Sequence, residues 1–543
     1  MHDTDADREQ SNPPRAGRRE WIGLAVIALP CLLYSMDLTV LNLAVPALSA
    51  DLKPSSSELL WIVDIYGFMV AGSLITMGTL GDRIGRRKLL LIGAAAFGVA
   101  SVLAAFSTTA WMLIATRALL GVAGATLAPS TLSLIRNMFL DARQRTAAIG
   151  VWIASFSAGA AIGPVLGGAM LEYFWWGSVF LLAVPVMVLL LVLGPVLLPE
   201  FRDPTAGKLD MVSAALSLAA VLAVIFGTKQ MAQEGIGWQP LVPIAAGVAL
   251  GALFVRRQRT LADPLIDLRL FRLPAFSTTL ATSTLGMCVA FGLFLLTAQY
   301  LQLVLGLSAW KAGLWTLPSS AGFIVSSLLA PLVVRRVRPA YVIAGGLGLA
   351  AVGLAVLTRI GVAPGLGVLV TGSVIFSLGL SPVATMATDL IIGSAPPERA
   401  GAASAISETS FELGGALGIA ILGSIGTGVY RTLMADAAPA GLGAEAAGAA
   451  SDTLGGALAV AEGLPGHLRV QLTEVARHAF AESFVLTAAI GAIVALSAAI
   501  VAGTVLRRGS SNEPRRHEER EVEPPKRQRR QGARPVARTV DAS

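Results

Sequence analysis

The chain is poor in charged residues, cysteine and histidine. Only 14% of its residues are Asp, Glu, Lys or Arg, a share well below that of soluble proteins, which excludes a set of soluble domains. Its two cysteines, Cys31 and Cys288, lie inside apolar runs and offer neither a disulfide framework nor metal-ligand spacing. The histidines all lie outside those runs, which argues against a histidine metal site or proton relay in a membrane. We therefore expect no metal and no cofactor.

Apolar residues dominate instead. They make up 55% of the 543 residues, and the mean hydropathy is +0.70. Apolar runs long enough to cross a bilayer as helices recur along the chain. We therefore predict an all-α membrane protein with fourteen spans, in contact with the lipid bilayer. The predicted spans are 21–48, 58–80, 88–106, 109–135, 146–171, 177–198, 210–229, 239–255, 276–303, 308–334, 340–359, 364–389, 400–430 and 480–506.

Lysine and arginine are concentrated in alternate loops between these runs. Examples are Arg86 and Arg87 after the second run, and Arg143 and Arg145 after the fourth. Positively charged loops stay on the cytoplasmic side of a membrane. We therefore predict that both termini are cytoplasmic, and that the net charge of +7 reflects topology and not nucleic-acid binding.

The runs divide into six, two and six. Spans five and thirteen are both Gly-rich and follow similar segments around Arg145 and Arg399, which indicates that two six-helix halves repeat each other loosely. Such repeats are typical of secondary transporters, whose site lies near the midplane between the halves. The predicted domains are an N-tail 1–20, a first half 21–198, two extra helices and linkers 199–275, a second half 276–506 with an extracytoplasmic insertion 431–479, and a disordered basic tail 507–543.

The insertion 431–479 is rich in Ala and Gly. We predict two helix-like pieces in it, 441–462 and 466–479, on either side of Pro465. The sequence leaves two interpretations open, a helical lid or a tolerated insertion.

A carboxylate lies within the first apolar run, at Asp37. An Asp at the middle of a membrane helix costs about 2.5–3.5 kcal/mol on insertion scales. An intramembrane acid is therefore a candidate functional residue by default. Asn42, further along the same run, is a weaker candidate.

Four further acids are candidates to face the same polar cavity. Asp64 lies in span two, Asp389 at the end of span twelve, and Glu408 and Glu412 share one helix face in span thirteen. Burial and a neighbouring like charge both favour the protonated form of a carboxyl group, so we predict proton exchange here near neutral pH, and binding of a cationic guest. For Asp389, capping or interfacial exposure is an equal alternative. Aromatic faces can add cation–π contacts; the candidates are Trp61, Tyr66, Trp152, Phe156 and Phe411.

The loop after the second run carries regularly spaced glycines and charges. Glycine permits tight turns, Asp82 can cap a helix, and the basic run can anchor the loop at the cytoplasmic face. Topology alone would explain this loop. Its spacing nevertheless resembles the signature loop of the major facilitator superfamily. The matching residues are Gly78, Gly81, Asp82, Arg83, Gly85, Arg86 and Arg87.

Arg117 lies within span four, followed by Gly121 and Gly124. A buried cation needs a partner or water. The pattern resembles the fourth-helix motif of the same superfamily, which implies a role in proton coupling. A structural pairing within the first half is the alternative.

Span five carries a stripe of glycines beside a proline. Such a stripe allows close helix contact, and proline can bend the helix. Ordinary packing would suffice to explain it. The stretch also resembles the antiporter motif, which within the superfamily implies export. The residues are Gly159, Gly163, Pro164 and Gly167.

Together with M-D-x-T-V-L-N-x-A-x-P around Asp37, these motifs resemble the fourteen-span drug:proton antiporter family, of the QacA/SmvA type. The resemblance covers residues 21–506 and is strongest in the first 170. It implies the major facilitator fold. One departure is the absence of any acid between Asp267 and Asp389, which puts dicationic substrates in doubt.

The resemblance implies a proton-coupled exporter of lipophilic cations such as quaternary ammonium compounds and dyes, working as a monomer by alternating access and driven by the proton gradient. A proton-coupled uptake symporter for a small polar metabolite is the alternative. Its cavity would need several amide groups, and the spans hold few. A membrane enzyme or receptor is disfavoured, because the spans contain no nucleophile–histidine pair.

Overall fold

The computed structural model describes residues 15–54, 56–202, 210–234, 237–261, 264–307, 309–362, 365–396, 399–437 and 442–509. Residues 1–14 of the predicted N-tail and 510–543 of the predicted C-tail lie outside these residues. The described part of the chain is helical and contains no strand. The helices are α1 (Arg18–Leu52), α2 (Ser56–Ile84), α3 (Arg86–Ala105), α4 (Ala110–Gly124), α5 (Leu127–Met138), α6 (Ala142–Tyr173), α7 (Ser178–Leu181), α8 (Ala183–Leu197), α9 (Met211–Glu234), α10 (Trp238–Gln258), α11 (Pro274–Gln299), α12 (Ala309–Val334), α13 (Pro339–Leu357), α14 (Gly365–Gly393), α15 (Ala400–Ala437), α16 (Ala444–Asp452), α17 (Leu454–Glu462) and α18 (Gly466–Gly509).

These helices provide 14 segments long and apolar enough to cross a membrane, which confirms the predicted number. The fourth span is built from α4 and α5, which meet at Ala125 and Thr126. The ninth span ends in a π-helical turn, Tyr300–Val304. The chain is therefore a multi-pass membrane protein.

The last helix differs from the prediction. We predicted a separate helical piece at 466–479 before the fourteenth span, but α18 runs unbroken through both. The remainder of the insertion forms α16 and α17, where the Tyr430 hydroxyl donates to the carbonyl oxygen of Ala450 at 3.0 Å. This segment packs on the second half of the chain, in the same apolar cluster as Met434 and Leu472.

The first half comprises α1 to α8 and the second comprises α11 to α18. Each half has its own large apolar cluster, since the side chains that face inward on its helices are mainly Leu, Ile, Val, Ala and Phe. The halves meet where α2 and α5 pack on α15 and where α6 packs on α12. The loops rich in arginine, around Arg86, Arg145 and Arg336, lie at one end of the bundle, which we call the basic end.

The two extra helices behave differently from each other. α10 packs on α9, as expected of a peripheral helix. α9 contacts both halves, because Ile225 packs with Phe68 and Ala71 of α2, and Ala416 of α15 adjoins them. α9 therefore bridges the two halves, whereas α10 lies on its outer side.

A hydrogen-bonded ion pair joins α9 and α10. Asp210, just before α9, accepts from Arg257 Nε at 2.8 Å and from the Ser213 hydroxyl at 2.7 Å. The bonds from Arg257 are the main reason that the pKa of Asp210 lies well below its usual range. The pair thus stays ionised at any physiological pH and ties the two helices at the basic end.

The linker after α10 continues this contact. The Leu265 amide donates to Gln258 Oε1 at 2.7 Å, and Leu265 itself is buried among apolar side chains of α2, α14 and α15. Asp267 lies 3.9 Å from Arg399, just before α15. The linker therefore packs across both halves at the basic end.

Candidate functional site

Asp37 and Arg117 form an ion pair inside the first half. Arg117 Nη1 lies 3.2 Å from Asp37 Oδ2, and the arginine side chain is 1% exposed. The same guanidinium donates to the carbonyl oxygens of Ile62 at 2.5 Å and Val63 at 3.4 Å, and lies 5.2 Å over the Tyr66 ring. This cation is thus neutralised and hydrogen-bonded, as burial requires. Pairing within the first half is what the structure shows for Arg117, and a role in proton coupling stays a prediction.

The local sequence explains how Arg117 reaches α2. Gly121 lies one turn after it, and a Cβ there would come within 2.5 Å of the Tyr66 carbonyl oxygen. Only glycine lets α4 approach the α2 backbone this closely. The approach brings the guanidinium within reach of the carbonyl groups of α2.

Asp37 borders a crevice inside the first half. The crevice is narrow and is formed by α1, α3, α7 and α8, and the Asp37 side chain is 15% exposed. The walls of this crevice are apolar and include Phe97, Val179 and Phe180. The expectation that Asp37 also lines a central cavity between the halves stays a prediction.

Glu412 does lie at that interface. The Tyr34 hydroxyl of α1 donates to Glu412 Oε1 of α15 at 3.0 Å. Glu408 lies one turn before Glu412, and the two carboxyl groups interact electrostatically. Within the described part of the chain, neither glutamate forms an ion pair with a basic side chain. The predicted shared face of Glu408 and Glu412 therefore points toward the first half.

An aromatic wall links the two acid groups. The ring centroids of Tyr34 and Tyr66 are 6.0 Å apart, those of Tyr34 and Phe156 are 5.6 Å apart, and those of Phe156 and Trp152 are 4.6 Å apart. Phe411 packs against the same cluster. Tyr34 bonds to Glu412, and Tyr66 interacts electrostatically with both Asp37 and Glu412, so these two rings lie near both acid groups.

Other predicted residues lie elsewhere. Trp61 is 40% exposed and stacks on Phe226 of α9 at 6.4 Å, away from the aromatic wall. Asp64 is half-buried in α2 and has interactions of its own. Asn42 belongs to α1, but its side chain lies outside the described residues.

Asp389 is paired and hydrogen-bonded at the basic end. It accepts from Arg145 Nε at 2.6 Å and from the Thr146 hydroxyl at 2.7 Å. Both donors lie at the start of α6, so this bond joins α14 to the first half at the basic end. The arginine at the opposing helix end is close enough to pair with Asp389, and a role of Asp389 in the central cavity stays a prediction.

The signature loop also joins the halves at the basic end. Asp82 accepts from the backbone amides of Gly401 and Ala402, each at 3.0 Å, and so caps the first turn of α15. Arg86 pairs with Asp82 at 2.9 Å. Gly78 packs flush on α15, since a Cβ there would lie 2.6 Å from the Gly401 carbonyl oxygen.

The turn between α2 and α3 depends on Gly85, which has φ +111°, a conformation that favours glycine. Glu200 follows α8 and accepts from the amides of Arg87 and Lys88, each at 3.1 Å. Gly81 is buried beside Leu89 of α3. Arg83 is partly buried and lines a partly open crevice at this end, together with Asp267 and Arg399.

The glycine stripe of span five packs α6 on α1. A Cβ on Gly159 would clash with the carbonyl oxygen of Leu32, and one on Gly167 would clash with Val40. Gly163 is buried between them, and the side chain of Pro164 lies outside the described residues. The stripe therefore fixes the helix that carries Tyr34 and Asp37.

Sequence reasoning did not select Tyr34. The signal was present, because Tyr34 is one turn before Asp37 in an otherwise apolar run. Its partner, Glu412, is far away in the sequence, and only the fold brings them together. No group of three or more metal-ligating side chains occurs among the described residues.

Comparison with known proteins agrees with this architecture. The family model described as Major Facilitator Superfamily matches residues 27–419. The chain is 44% identical to the multidrug efflux pump LfrA of Mycolicibacterium smegmatis, with 91% of this chain and 98% of that protein covered. It is 38% identical to the methyl viologen resistance protein SmvA of Salmonella typhimurium, with 85% and 93% covered. It is also 32% identical to the tetracenomycin C resistance and export protein of Streptomyces glaucescens, with 89% and 91% covered.

Solved structures share the fold. The human organic anion transporter MFSD10 superposes with a TM-score of 0.57 at 15% identity, over 89% of this chain and all of that one. A bacterial homologue of the human lysosomal transporter Spinster, inward-facing and unoccupied, superposes with a TM-score of 0.55 at 17% identity, over 91% of this chain and 99% of that one. At these identities the likeness concerns the fold alone.

Proposed function

Because the chain belongs to the major facilitator superfamily and is a membrane transporter and not an enzyme, we propose that it exports lipophilic cations in exchange for protons. One observation carries the proposal. Glu408 and Glu412 lie at the interface of the halves, within an aromatic wall, and no basic side chain in the described residues pairs with either of them. A proton or an organic cation would supply the missing positive charge.

The exchange follows from the cost of charge in an apolar site. One glutamate pair cannot hold a proton and a cation together cheaply, so binding of one favours release of the other. The aromatic faces of Tyr34, Phe156 and Trp152 suit a flat or lipophilic cation. The names of the relatives LfrA and SmvA, an efflux pump and a resistance protein, support export as the direction.

Asp37, Arg117 and Asp64 belong to the same proposal in supporting roles. The Asp37–Arg117 pair lies one layer behind the interface, where a change in protonation of Asp37 would free Arg117. The basic end would be cytoplasmic, with both termini on that side. The protein would work as a monomer and use the proton gradient as its only source of energy.

The direct test uses proteoliposomes containing the purified protein and ethidium as the cation. Ethidium movement should accelerate when a proton gradient of the exporting direction is imposed, and should slow when an ionophore collapses it. Ethidium flux that does not depend on the proton gradient would contradict proton coupling. Absence of any ethidium flux, with proton-driven uptake of a polar metabolite, would favour a symporter.

A matched pair of variants tests the acid in α1. Asp37→Asn should abolish gradient-driven efflux while the protein still inserts in the membrane. Asp452→Asn is the control, because this aspartate is 67% exposed at the far end of α16. Unchanged efflux by Asp37→Asn would give Asp37 a structural role only.

A further inference from the structure

The hydrogen bond between Tyr34 and Glu412 connects the two halves at the site itself. Tyr34 is on α1 of the first half and Glu412 is on α15 of the second, with 3.0 Å between hydroxyl and carboxylate oxygens. Asp82 and Asp389 accept the inter-half hydrogen bonds described above at the basic end, and the Ser327 hydroxyl of α12 also donates to the carbonyl oxygen of Gly150 in α6 at 2.8 Å. The Tyr34 bond is therefore the inter-half contact that a proton on Glu412 alters directly.

We propose that Tyr34 couples the protonation of Glu412 to the movement of the halves, by holding them together at the site only while Glu412 is ionised. Tyr34 is a positioning residue in this scheme, and the inference rests on the proposed proton-coupled exchange.

The physical reason is the strength of the bond in the two protonation states. A hydroxyl donating to a carboxylate forms a charge-assisted bond, which is shorter and about twice as strong as a neutral one. Protonation of Glu412, or pairing of its carboxylate with a bound cation, replaces that bond with a weaker one. The conformation closed at the basic end then loses a contact that the alternative conformation does not need.

The surroundings of Tyr34 make this bond specific. Tyr34 is 7% exposed, so water competes little for its hydroxyl. Gly124 leaves room beside it, and the neighbouring Tyr66 hydroxyl is buried without a hydrogen-bond partner in the described residues. Tyr34 thus donates to Glu412 and not to its buried neighbour. The titratable groups that act on this pair are Tyr66 of α2 and Glu408 of α15. Asp37 of α1 and Arg117 of α4 act in turn on Tyr66, and Cys31 of α1 interacts with Glu408.

The sign of the effect follows from the conformation. The structure is closed at the basic end, where Asp82 and Asp389 join the halves. An ionised Glu412 favours this closed state through Tyr34. A proton arriving from the opposite side would weaken the bond and release the halves, after which the basic end opens and the proton leaves. This order is the one that an antiporter requires.

The test measures the conformation as a function of pH. Spin labels at Lys53→Cys and Thr432→Cys, with Cys31→Ala and Cys288→Ala, report the separation of the halves at the end away from the basic loops. In the wild type, the fraction closed at the basic end should rise with pH. Tyr34→Phe should lower the ratio of closed to open protein about tenfold at high pH, and leave it nearly unchanged at low pH.

Three companions make the result decisive. Tyr173→Phe is the control, because this tyrosine is 75% exposed and far from the site. Glu412→Asp keeps a titratable carboxylate but draws it back from Tyr34, so it should flatten the pH profile as Tyr34→Phe does. It therefore provides the same test if Tyr34→Phe folds poorly. The double variant Tyr34→Phe/Glu412→Gln should behave like Glu412→Gln alone.

The inference is overturned if Tyr34→Phe and Glu412→Asp keep the wild-type pH profile, or if the effects of Tyr34→Phe and Glu412→Gln add. Ethidium flux of the wild type is measured first. A wild type without proton-coupled flux defeats the proposed function, whereas normal coupling in Tyr34→Phe defeats only the role of Tyr34.

Discussion

The two halves of this transporter hold their buried acids in opposite ways. In the first half, Asp37 is paired with Arg117, which also bonds to the α2 backbone. In the second half, Glu408 and Glu412 have each other and a tyrosine hydroxyl, and no basic partner among the described residues. Breaking a buried pair leaves an unpaired charge and is costly, while an acid without a counter-charge can take one from outside. In the proposed mechanism, the glutamates of the second half exchange the proton and the cation, and the Asp37–Arg117 pair of the first half supports that exchange.

The largest effect is expected when the positive charge of Arg117 in the first half is removed. Arg117→Met leaves Asp37 buried without a partner and should destabilise the protein by about 3–5 kcal/mol, measured by thermal unfolding in detergent. The double variant Arg117→Met/Asp37→Asn should regain most of this loss, because no unpaired charge remains.

The matched control is Arg257→Met, which breaks the more exposed pair with Asp210 and should cost less than about 1 kcal/mol. A double variant as unstable as Arg117→Met alone would show that Arg117 does not serve chiefly to neutralise Asp37.

The next largest effect concerns the acids without a partner. Glu412→Gln keeps an oxygen for the Tyr34 hydroxyl but cannot balance a cation, so gradient-driven ethidium efflux should fall about tenfold to a hundredfold with little loss of stability. Glu408→Gln should act in the same direction. The control is Glu445→Gln, on the exposed surface of α16. If Glu412→Gln lost stability as well as transport, Glu412 would have a structural role like that of Asp37, and the contrast between the halves would fail.

A third change separates binding from movement. Asp82→Asn removes the charge that accepts from the amides of Gly401 and Ala402, while leaving every acid at the site in place. Turnover should fall about tenfold, since a charge-assisted bond between the halves is lost, with the equilibrium affinity for ethidium almost unchanged. A large loss of affinity measured by fluorescence anisotropy would contradict this separation.

The smallest effect is expected at Trp61, which stacks on Phe226 outside the aromatic wall. Trp61→Ala should leave ethidium affinity within about twofold of the wild type. Trp152→Ala, within the wall, is the comparison and should weaken binding more. Equal losses of ethidium affinity in Trp61→Ala and Trp152→Ala would show that the site includes the side of α2 that faces α9.

Much of this architecture could be predicted from the sequence. Fourteen apolar runs and the motif spacings are local signals, and the positions of Asp37, Arg117, Glu408 and Glu412 within spans follow from them. What failed was pairing across the fold. Asp389 meets Arg145, and Tyr34 meets Glu412, through contacts between helices distant in sequence, which no local pattern encodes.

Helix ends were the other weak point. The prediction separated 466–479 from the last span because that stretch is polar, yet α18 continues through it. Charged side chains on one side of a helix do not end it when the other side is packed, and Leu472 and Ala476 are fully buried. The position of α9 against both halves was likewise invisible, because a uniformly apolar helix gives no indication of which helix it packs on.

The most direct test of the exchange is proton release on binding. Ethidium is added to purified protein in weakly buffered detergent solution near neutral pH, and the released protons are counted with a pH indicator. We predict that the wild type releases protons as ethidium binds, and that Glu408→Gln/Glu412→Gln releases none. Ethidium binding without proton release, or release that persists in the double variant, would contradict exchange at these two glutamates.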